Sequence, residues 1–329
     1  MKLARRQFLH LAGAAAALTA ASRNARAQSY PARPIRLVIP FPPGGAFDAI
    51  GRPWADRMKT VLGTVVVENQ GGGGSSLGAA SVARARPDGY TILLGGSSTH
   101  ITESILKNRP LYDPMKDLEP IANLAVTAFA LAVHPSVPAQ SLKELIAYAK
   151  ANPGKLSYGH AGVGSLNHLT GELFKSLIRA PDIVQVPYRG SGPAIADLIS
   201  GQVPLITPAV TSQVIEFHRS GKMRVLAVTS PNRLVAAPEL PTAIEAGLPG
   251  MISRQLIGLF APTGTPRAII EQISQATRRA MADPEYQQIF ITSGYEPDLD
   301  SSPEHLRHSI GEEIVRWRPV IEPLGLKLD

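Results

Sequence analysis

The sequence predicts an α/β protein of two lobes, each built on a mostly parallel sheet flanked by helices. Three observations support this fold class. Short apolar runs alternate with helical patterns along nearly the whole chain, as in proteins with parallel sheets. A long apolar run at 127–135 precedes a second series of such alternations, and another at 255–262 ends that series. We therefore expect lobe 1 at 28–128 and 256–329, with lobe 2 at 129–255 inserted into it.

In the first series, β-branched apolar runs bounded by Gly or Pro predict strands at 35–40, 64–69 and 90–95. Helical spacing of apolar residues occupies 47–60 and 75–86 between them. Each strand thus leads towards a helix, which is the order that a parallel sheet requires.

The second series repeats this order. Its predicted strands cover 156–160, 182–188, 202–207 and 223–229, and its predicted helices cover 141–154, 165–177, 191–200 and 211–220. Ser141 is expected to cap the first of these helices, with Glu144 completing a capping box. Beyond 262 the pattern is helical except for one short strand near 293–297.

The first 27 residues, MKLARRQFLHLAGAAAALTAASRNARA, predict a cleaved export signal of the twin-arginine type. An Arg5-Arg6 pair precedes an apolar stretch at 8–21, and Ala25-Arg26-Ala27 matches a small-residue cleavage site. The apolar stretch is too short and too rich in alanine for a membrane anchor. We expect cleavage after Ala27 and a periplasmic mature protein.

The composition is that of a globular protein with a buried core, since 44% of the residues are hydrophobic and 18% are charged. The chain has no cysteine, which excludes disulfides, thiolate metal sites and cysteine nucleophiles. The formal net charge is +7, but five of the cations and none of the acids lie in the export signal. The charge without that segment is +2, so a basic surface for nucleic acid is not expected.

Gly-rich turns follow four of the predicted strands, at 40–48 (PFPPGGAFD), 95–100 (GGSSTH), 159–168 (GHAGVGSLNH) and 187–192 (PYRGSG). Each puts small residues where a helix begins, so free backbone N–H groups and the helix dipole favour an anion there. Ligands of open α/β sheets bind at these carboxyl ends of strands, which would face each other across a cleft. The P-loop pattern and the dinucleotide fingerprint are absent, which argues against a nucleotide. The segment 69–78 (NQGGGGSSLG) is expected to form a flexible loop before a helix at Leu77, with contact to the ligand as the less favoured alternative.

Some side chains in these loops have more than one interpretation. Asp48 is expected to complement the dipole of its helix, with a hydrogen bond to the ligand as the alternative. His100, His160 and His168 are expected to bond within the loops or to touch the ligand. Protonation near their usual pKa of about 6.5 would then add positive charge to the cleft. We predict no metal site and no cofactor.

Seven segments of the chain carry a resemblance to a known family. They are, in order, PFPPGGAFD, VVVENQGGGG, DGYTILLGGSSTH, YDPMKDLEPIA, YGHAGVGSLNHLTGELF, VPYRGSGPAIADLISGQV and GKMRVLAVTSPNR. In this order and spacing they resemble the Bug-type extracytoplasmic solute receptors, the substrate-binding proteins of tripartite tricarboxylate transporters. The resemblance covers essentially the whole mature chain. It implies a periplasmic binding protein fold of the Venus-flytrap type II, with a small organic carboxylate held between the lobes.

The resemblance also implies site residues, because in the family the first strand–helix loop holds the ligand carboxylate through backbone groups and ordered waters. The loops of the second lobe face it. Two further residues are predicted to contact the ligand, His160 and, in the distal wall, Pro208. The full set of predicted ligand-binding residues is Phe41, Pro43, Gly44, Gly45, Asp48, Ser97, Ser98, Thr99, His100, His160, Ala161, Gly162, Gly164, Ser165, His168, Tyr188, Gly190 and Pro208.

One segment departs from the family, which often has acidic residues after the GQV that ends at Val203. This chain has Pro204 and Thr207-Pro208-Ala209 there. The distal wall is therefore expected to be less acidic. An amino-acid ligand is disfavoured, and a plain acid, dicarboxylic or aromatic, is favoured.

We predict a monomeric periplasmic receptor, without catalysis, that delivers its carboxylate to the membrane permease subunits of a tripartite tricarboxylate transporter. Two alternatives stay open. One is a sensory protein that presents its ligand to a membrane signalling receptor. The other is an exported hydrolase using Ser165 with His168, although no acid is evident to orient that histidine and the usual hydrolase motifs are absent.

Overall fold

The computed structural model describes residues 30–328, so the predicted export signal and its cleavage site lie outside the described residues. The strands are β1 (Ile35–Ile39), β2 (Val65–Asn69), β3 (Thr91–Gly96), β4 (Leu118–Ala128), β5 (Ala130–Val133), β6 (Ser157–His160), β7 (Val184–Pro187), β8 (Leu205–Ile206), β9 (Arg224–Val228), β10 (Arg254–Pro262) and β11 (Glu296–Pro297).

The α-helices are α1 (Ala46–Met58), α2 (Ser76–Ala83), α3 (Ser97–Ile101), α4 (Leu142–Ala151), α5 (Leu166–Ile178), α6 (Ser191–Ile199), α7 (Ser212–Arg219), α8 (Arg267–Met281), α9 (Pro284–Thr292) and α10 (Pro303–Ile321). A 3-10 turn at Gly73–Ser75 precedes α2, and a π-helical turn at Thr102–Leu106 continues α3. Within the described chain, no helix is long and apolar enough to cross a membrane.

The strands form two sheets, which confirms the predicted two-lobe α/β fold. The first sheet has the order β11-β4-β10-β3-β1-β2, and the second has the order β7-β6-β8-β5-β9. We call the first sheet with its helices lobe 1 and the second lobe 2. The exact boundaries of the lobes in the chain stay a prediction.

In both sheets most strands run in the same direction, as predicted, but both sheets are mixed. Each has an interior strand that runs the opposite way, and β11 at the edge of lobe 1 is also antiparallel to its neighbour β4. In lobe 1, β1 pairs in parallel with β2 and β3, whereas β10 is antiparallel to both β3 and β4. In lobe 2, β6 pairs in parallel with β7 and β8, whereas β5 is antiparallel to both β8 and β9. β5 and β10 are the first strands after the chain changes sheet. A strand that arrives from the other lobe starts at the shared end and runs away from it, so it must oppose its neighbours.

Two predicted strands are interrupted or shortened. The apolar run at 127–135 divides at Phe129, which stands between β4 and β5 and forms an isolated bridge with Ala209. The strand predicted at 202–207 is reduced to β8, because Pro204 has no N–H to donate to a neighbouring strand. Its carbonyl still accepts a hydrogen bond of 3.0 Å from the N–H of His134.

Four helices begin at the carboxyl ends of strands on the side where the lobes meet. α1 follows β1, α3 follows β3, α5 follows β6 and α6 follows β7. The lobes contact each other at these ends, since Thr102 Oγ1 donates a hydrogen bond of 2.7 Å to the carbonyl of Gly164. The predicted cleft therefore forms between these helix starts.

The last long helix, α10, packs against both lobes. Leu306 and Ile310 are buried with Phe260 in the core of lobe 1. Trp317 and Ile321, further along the same helix, are buried in a cluster that consists mainly of lobe 2 residues. The helix thus buries its apolar side against both parts of the protein.

Candidate functional site

A cavity lies between the loops at the starts of α1 and α6. It contains about 620 Å³ of empty space that is continuous with solvent. Its wall is formed by Phe41, Pro42, Pro43, Gly44, Gly45, Ala46, Phe47 and Ser98 of lobe 1, Phe129 of the crossover, Ala161, Asn167, Arg189, Gly190, Ser191, Gly192, Pro193 and Ala209 of lobe 2, and Gln255 of β10. We call this space the inner cavity.

Part of the predicted site lies in this wall. The predicted residues that line the inner cavity are Phe41, Pro43, Gly44, Gly45, Ser98, Ala161 and Gly190. Most of these residues belong to the Gly-rich loops before α1 and α6. Their contact with a ligand stays a prediction.

The N-termini of α1 and α6 both stand at the cavity. Their N-cap residues are Gly45 and Gly190, and neither helix has a side chain that accepts a hydrogen bond from its first turn. α6 also has no acidic residue in that turn. Helix N-termini carry partial positive charge and unsatisfied N–H groups. The two ends together can hold an anion.

Asp48 supports the loop before α1 instead of lining the cavity. Its side chain is buried, and its Oδ2 atom accepts hydrogen bonds from the N–H of Gly44 at 2.7 Å and from Arg52 Nε at 3.1 Å. Its Oδ1 atom accepts one of 2.9 Å from Asn69 Nδ2, which also donates to the carbonyl of Phe41 at 3.0 Å. The predicted contact between Asp48 and the ligand is not supported, because its oxygens are already bound to protein groups.

The polar side chains in the wall are neutral apart from one. Ser98 Oγ donates a hydrogen bond of 2.7 Å to Gln255 Oε1, and Asn167 Nδ2 donates one of 2.9 Å to the carbonyl of Thr207. Arg189 is the single charged residue among the described residues that line the cavity. No side chain that lines the cavity is therefore negatively charged, although the carboxylate of Asp48 lies behind the wall at Gly44.

The segment Ser97–His100 was predicted to face the ligand, but only Ser98 lies in the wall of the inner cavity. Ser97 Oγ accepts a hydrogen bond of 3.0 Å from the N–H of Leu256, and Thr99 Oγ1 donates one of 2.9 Å to the carbonyl of Gly96. These two side chains are fully buried because they attach α3 to β10 and to the end of β3. Neither side chain lines the inner cavity, so their contact with a ligand stays a prediction that this geometry does not favour.

His100 is also buried away from the inner cavity. Its ring lies 4.5 Å, centroid to centroid, from that of Phe260, and its Nδ1 is 3.0 Å from the carbonyl of Gly96. Burial lowers the pKa of His100 to about 4. His100 is therefore neutral at pH 7 and belongs to the core of lobe 1.

His160 and His168 support the loop between β6 and α5. Nδ1 of His160 accepts a hydrogen bond from the N–H of Gly162, and Nδ1 of His168 accepts one from the N–H of Gly164, both at 3.3 Å. Burial lowers the pKa of both rings, that of His168 to about 4. The expectation that loop histidines add positive charge to the cleft is therefore wrong.

Ser165 is the N-cap of α5, and its hydroxyl is not hydrogen-bonded to the ring of His168. Its Oγ donates to the carbonyl of Gly162 at 2.7 Å and accepts from the backbone N–H of His168 at 3.3 Å. The His168 ring bonds to Gly164 and not to Ser165. The pair that the hydrolase alternative requires is not formed, and the predicted ligand contacts of Ser165, Gly164 and His168 are replaced by contacts within the protein.

The remaining predicted residues lie beside the inner cavity. His160 and Pro208 line a small pocket of about 160 Å³ that shares Ala161 with it. Gly162 and Tyr188 line a larger, more open space of about 1170 Å³, which we call the outer cavity. The segment Gly71–Ser75 also lines the outer cavity. It belongs to the loop for which ligand contact was the less favoured alternative.

Several residues of the inner wall were not predicted. A local sequence pattern could have indicated some of them but not others. Arg189 and Asn167 lie inside two of the Gly-rich loops, and Arg189 is the one cation in those four loops. Phe129 and Gln255 come from the points where the chain crosses between lobes. No local pattern marks these two, because only the meeting of distant strands brings them to the site.

Comparison with known proteins finds a family profile and several solved structures that match this chain. The profile described as tripartite tricarboxylate transporter family receptor matches residues 50–326. The structure of the periplasmic binding protein BugD is 34% identical, with a TM-score of 0.84, and the match covers 91% of this chain and 99% of that one.

Two similar structures were solved with ligands. MatC from Rhodopseudomonas palustris, with bound malate, is 32% identical, with a TM-score of 0.83 and coverage of 89% of this chain and 100% of that one. Rpa4515 from R. palustris, with adipate, is 32% identical, with a TM-score of 0.85 and coverage of 91% and 99%. Both molecules named with these structures are dicarboxylates.

Proposed function

The chain belongs to the tripartite tricarboxylate transporter family of receptors, and from this premise we propose that it captures a small organic carboxylate between its two lobes in the periplasm. The loaded receptor delivers the carboxylate to the permease subunits of a membrane transporter. It acts by binding and release, without chemical conversion of the ligand. We further propose that it works as a monomer and is exported through a twin-arginine signal that is cleaved after Ala27.

One observation carries the proposal. The N-termini of α1 and α6, one from each lobe, stand at the same cavity without a side-chain cap. An anion between them interacts with both helix ends, so it links the lobes. A ligand that gains contacts from both lobes favours the closed arrangement over an open one.

The rest of the inner wall suits the carbon part of such a ligand. Phe41 and Phe47 stack with their ring centroids 4.8 Å apart, and Phe129 lines the same wall. Ser98, Gln255 and Asn167 add neutral hydrogen-bonding groups. The malate and adipate named with the two similar structures have this combination of carboxylates and a short carbon chain.

The lobes are proposed to move about the two crossovers, with lobe 1 at 28–128 and 256–329 and lobe 2 at 129–255. Two contacts support a closed state in which the lobes meet beside the cavities. Thr102 Oγ1 donates to the carbonyl of Gly164 at 2.7 Å. A Cβ built on Gly74 would lie only 2.8 Å from the carbonyl oxygen of Val163.

A thermal-shift screen of the mature chain tests this function. The ligands are mono-, di- and tricarboxylates, each paired with its uncharged amide as a control. A true ligand at 100 times its Kd adds about 2.7 kcal/mol to the free energy of unfolding. We expect stabilisation by at least one acid and not by its amide. Equal effects of acid and amide, or no effect of any acid, would overturn the proposal.

Delivery to a transporter requires its own measurement. The mature receptor, loaded with the acid found in the screen, is added to vesicles that contain the permease subunits encoded nearest to it. We expect uptake of labelled acid that depends on the receptor. Uptake that is equal without the receptor would favour the sensory alternative.

A further inference from the structure

We propose that the outer cavity is a second anion-binding subsite, formed by Arg189 together with Gly73, Gly74 and Ser75. The preferred ligand is then an elongated dicarboxylate, with one carboxylate at the starts of α1 and α6 and the other in the outer cavity. This inference rests on the proposed function for its first carboxylate. It adds a second site and a narrower class of ligand.

The two cavities adjoin each other. Phe41, Pro42, Ala161, Arg189 and Gly190 line both of them. The ring of Pro42 marks the junction. A Cβ built on Gly71 would lie 2.9 Å from Pro42 Cδ, and one built on Gly190 would lie 3.6 Å from Pro42 Cγ. The backbones of lobe 1 and lobe 2 thus both approach this ring. In the proposed arrangement, the methylene chain of the ligand would pass the ring from one cavity to the other.

Arg189 is the single charged residue among the described residues that line either cavity. It is exposed, and it has no hydrogen-bond or ion-pair partner in the described part of the chain. Asp197, an acid of the following helix α6, accepts a hydrogen bond of 2.8 Å from the hydroxyl of Tyr188. The guanidinium is therefore available for a carboxylate, which it can bind through two parallel hydrogen bonds.

The opposite wall of the outer cavity has the backbone of an anion site. Gly72, Gly73, Gly74 and Ser75 all have positive φ, and α2 begins directly after them with no acidic residue in its first turn. The N–H groups of Gly73 and Gly74 have no acceptor among the described residues. Successive N–H groups in such turns form a concave surface that binds anions.

Ser75 gives an independent indication of a missing partner. It lines the outer cavity, it is 1% exposed, and its Oγ has no hydrogen-bond partner. A buried hydroxyl without a partner costs free energy. Its φ of 101° is one that residues other than glycine rarely adopt. A carboxylate at Gly73 and Gly74 would supply the acceptor that this hydroxyl lacks.

Calorimetry with a matched pair of acids tests the subsite. Adipate and hexanoate have the same chain length and differ by one carboxylate. We expect the wild-type protein to bind adipate at least about tenfold more tightly, because one charged hydrogen-bonded contact is worth that much. Arg189→Gln should remove most of this preference, because it weakens the binding of adipate much more than that of hexanoate. Lys143→Gln removes a charge from an exposed position of helix α4 in the same lobe. This control should change neither the preference for adipate nor the Kd of hexanoate.

A second variant separates binding from folding. Ser75→Gly removes the hydroxyl at a φ that glycine adopts readily, so its unfolding midpoint should stay equal or rise. The Kd of adipate should increase severalfold, and that of hexanoate should not change. Equal losses for both acids, or no loss in either variant, would overturn the subsite while leaving the proposed function intact. If neither acid nor any longer or shorter homologue binds the wild-type protein while another carboxylate of the thermal-shift screen does, the subsite fails and the proposed function stands. If no carboxylate binds, both proposals fail.

Discussion

Asp48 accepts a hydrogen bond of 2.7 Å from the backbone N–H of Gly44, four residues earlier in the chain. The same carboxylate holds Asn69 at the end of β2 and pairs with Arg52 one turn further along α1. An acid in the first turn of a helix thus fixes the loop that forms the wall of the inner cavity. The effect of Asp48 on binding is expected to be indirect.

Replacement of Asp48 tests this role. Asp48→Ala leaves the N–H of Gly44 and the amide of Asn69 without this acceptor in partly buried surroundings, so the free energy of unfolding should fall by about 1–2 kcal/mol. Arg52→Ala is the control, because its exposed ion pair should contribute less than about 1 kcal/mol. Urea unfolding measures both. Unchanged stability with lost binding in Asp48→Ala would show that Asp48 contacts the ligand after all.

Gly45 offers a clean test of the anion site at α1. Its φ of −91° is open to any residue, and a Cβ there would meet no atom closer than the carbonyl of Pro42 at 3.8 Å. Gly45→Val should therefore fold normally but fill space at the helix end, with affinity reduced at least about tenfold.

The neighbouring Gly44 has φ +82°, so Gly44→Val should lose stability as well as affinity. Calorimetry and thermal unfolding distinguish the two variants. Wild-type affinity in Gly45→Val would mean that this loop is only a turn.

The buried histidines predict how stability changes with pH. The folded pKa of about 4 for His100 and His168 lies below the value near 6.5 of an unfolded chain. The unfolded chain then binds more protons, so their contribution is complete above pH 6.5 and is lost as the pH falls towards 4. The loss should reach about 3 kcal/mol for each ring.

Urea unfolding between pH 7 and 4 measures this slope. His100→Asn should reduce it, whereas His308→Gln, at an exposed position, should not. Burial lowers the pKa of both histidines of the cleft loops, that of His168 to about 4. The affinity for a carboxylate should therefore stay constant between pH 8 and 7. A marked rise in affinity as the pH falls through this range would contradict the lowered pKa of these rings.

The contact between Gly74 and Val163 predicts a variant that resists closure. In Gly74→Ala the new Cβ would lie 2.8 Å from the Val163 carbonyl, so the closed state should be disfavoured and affinity should fall about tenfold. Gly63→Ala is the matched control, since Gly63 has a similar positive φ in the same lobe and open space at its Cβ. Small-angle scattering with saturating ligand compares their compactness. Equal affinity in the two variants would show that this approach is not part of closure.

The sequence predicts the parts of this protein that depend on neighbouring residues. Ser141 caps α4 as expected, although Glu144 bonds to the N–H of Gln140 instead of completing the box at Ser141. The helix predicted to begin near Ser165 begins there, with Ser165 as its N-cap. The Gly-rich loops at strand ends are found for the same reason, because turn chemistry is local.

Features that depend on distant parts of the chain are not predictable in this way. The neutral state of His100 follows from packing against Phe260, and the contribution of Gln255 to the site follows from the position of β10. The loop before α5 shows the same limit, since nothing near Ser165 indicates that the imidazole of His168 bonds to Gly164.

The central position of β10 has a consequence for how the chain folds during synthesis. The second sheet consists of a continuous stretch from β5 to β9, whereas the first sheet lacks its interior strand until residues 254–262 have been made. Until then β3 and β4 present unpaired edges, which are prone to join other chains. We expect lobe 2 to fold first, and a nascent chain that stops before β10 to need a chaperone on these two edges.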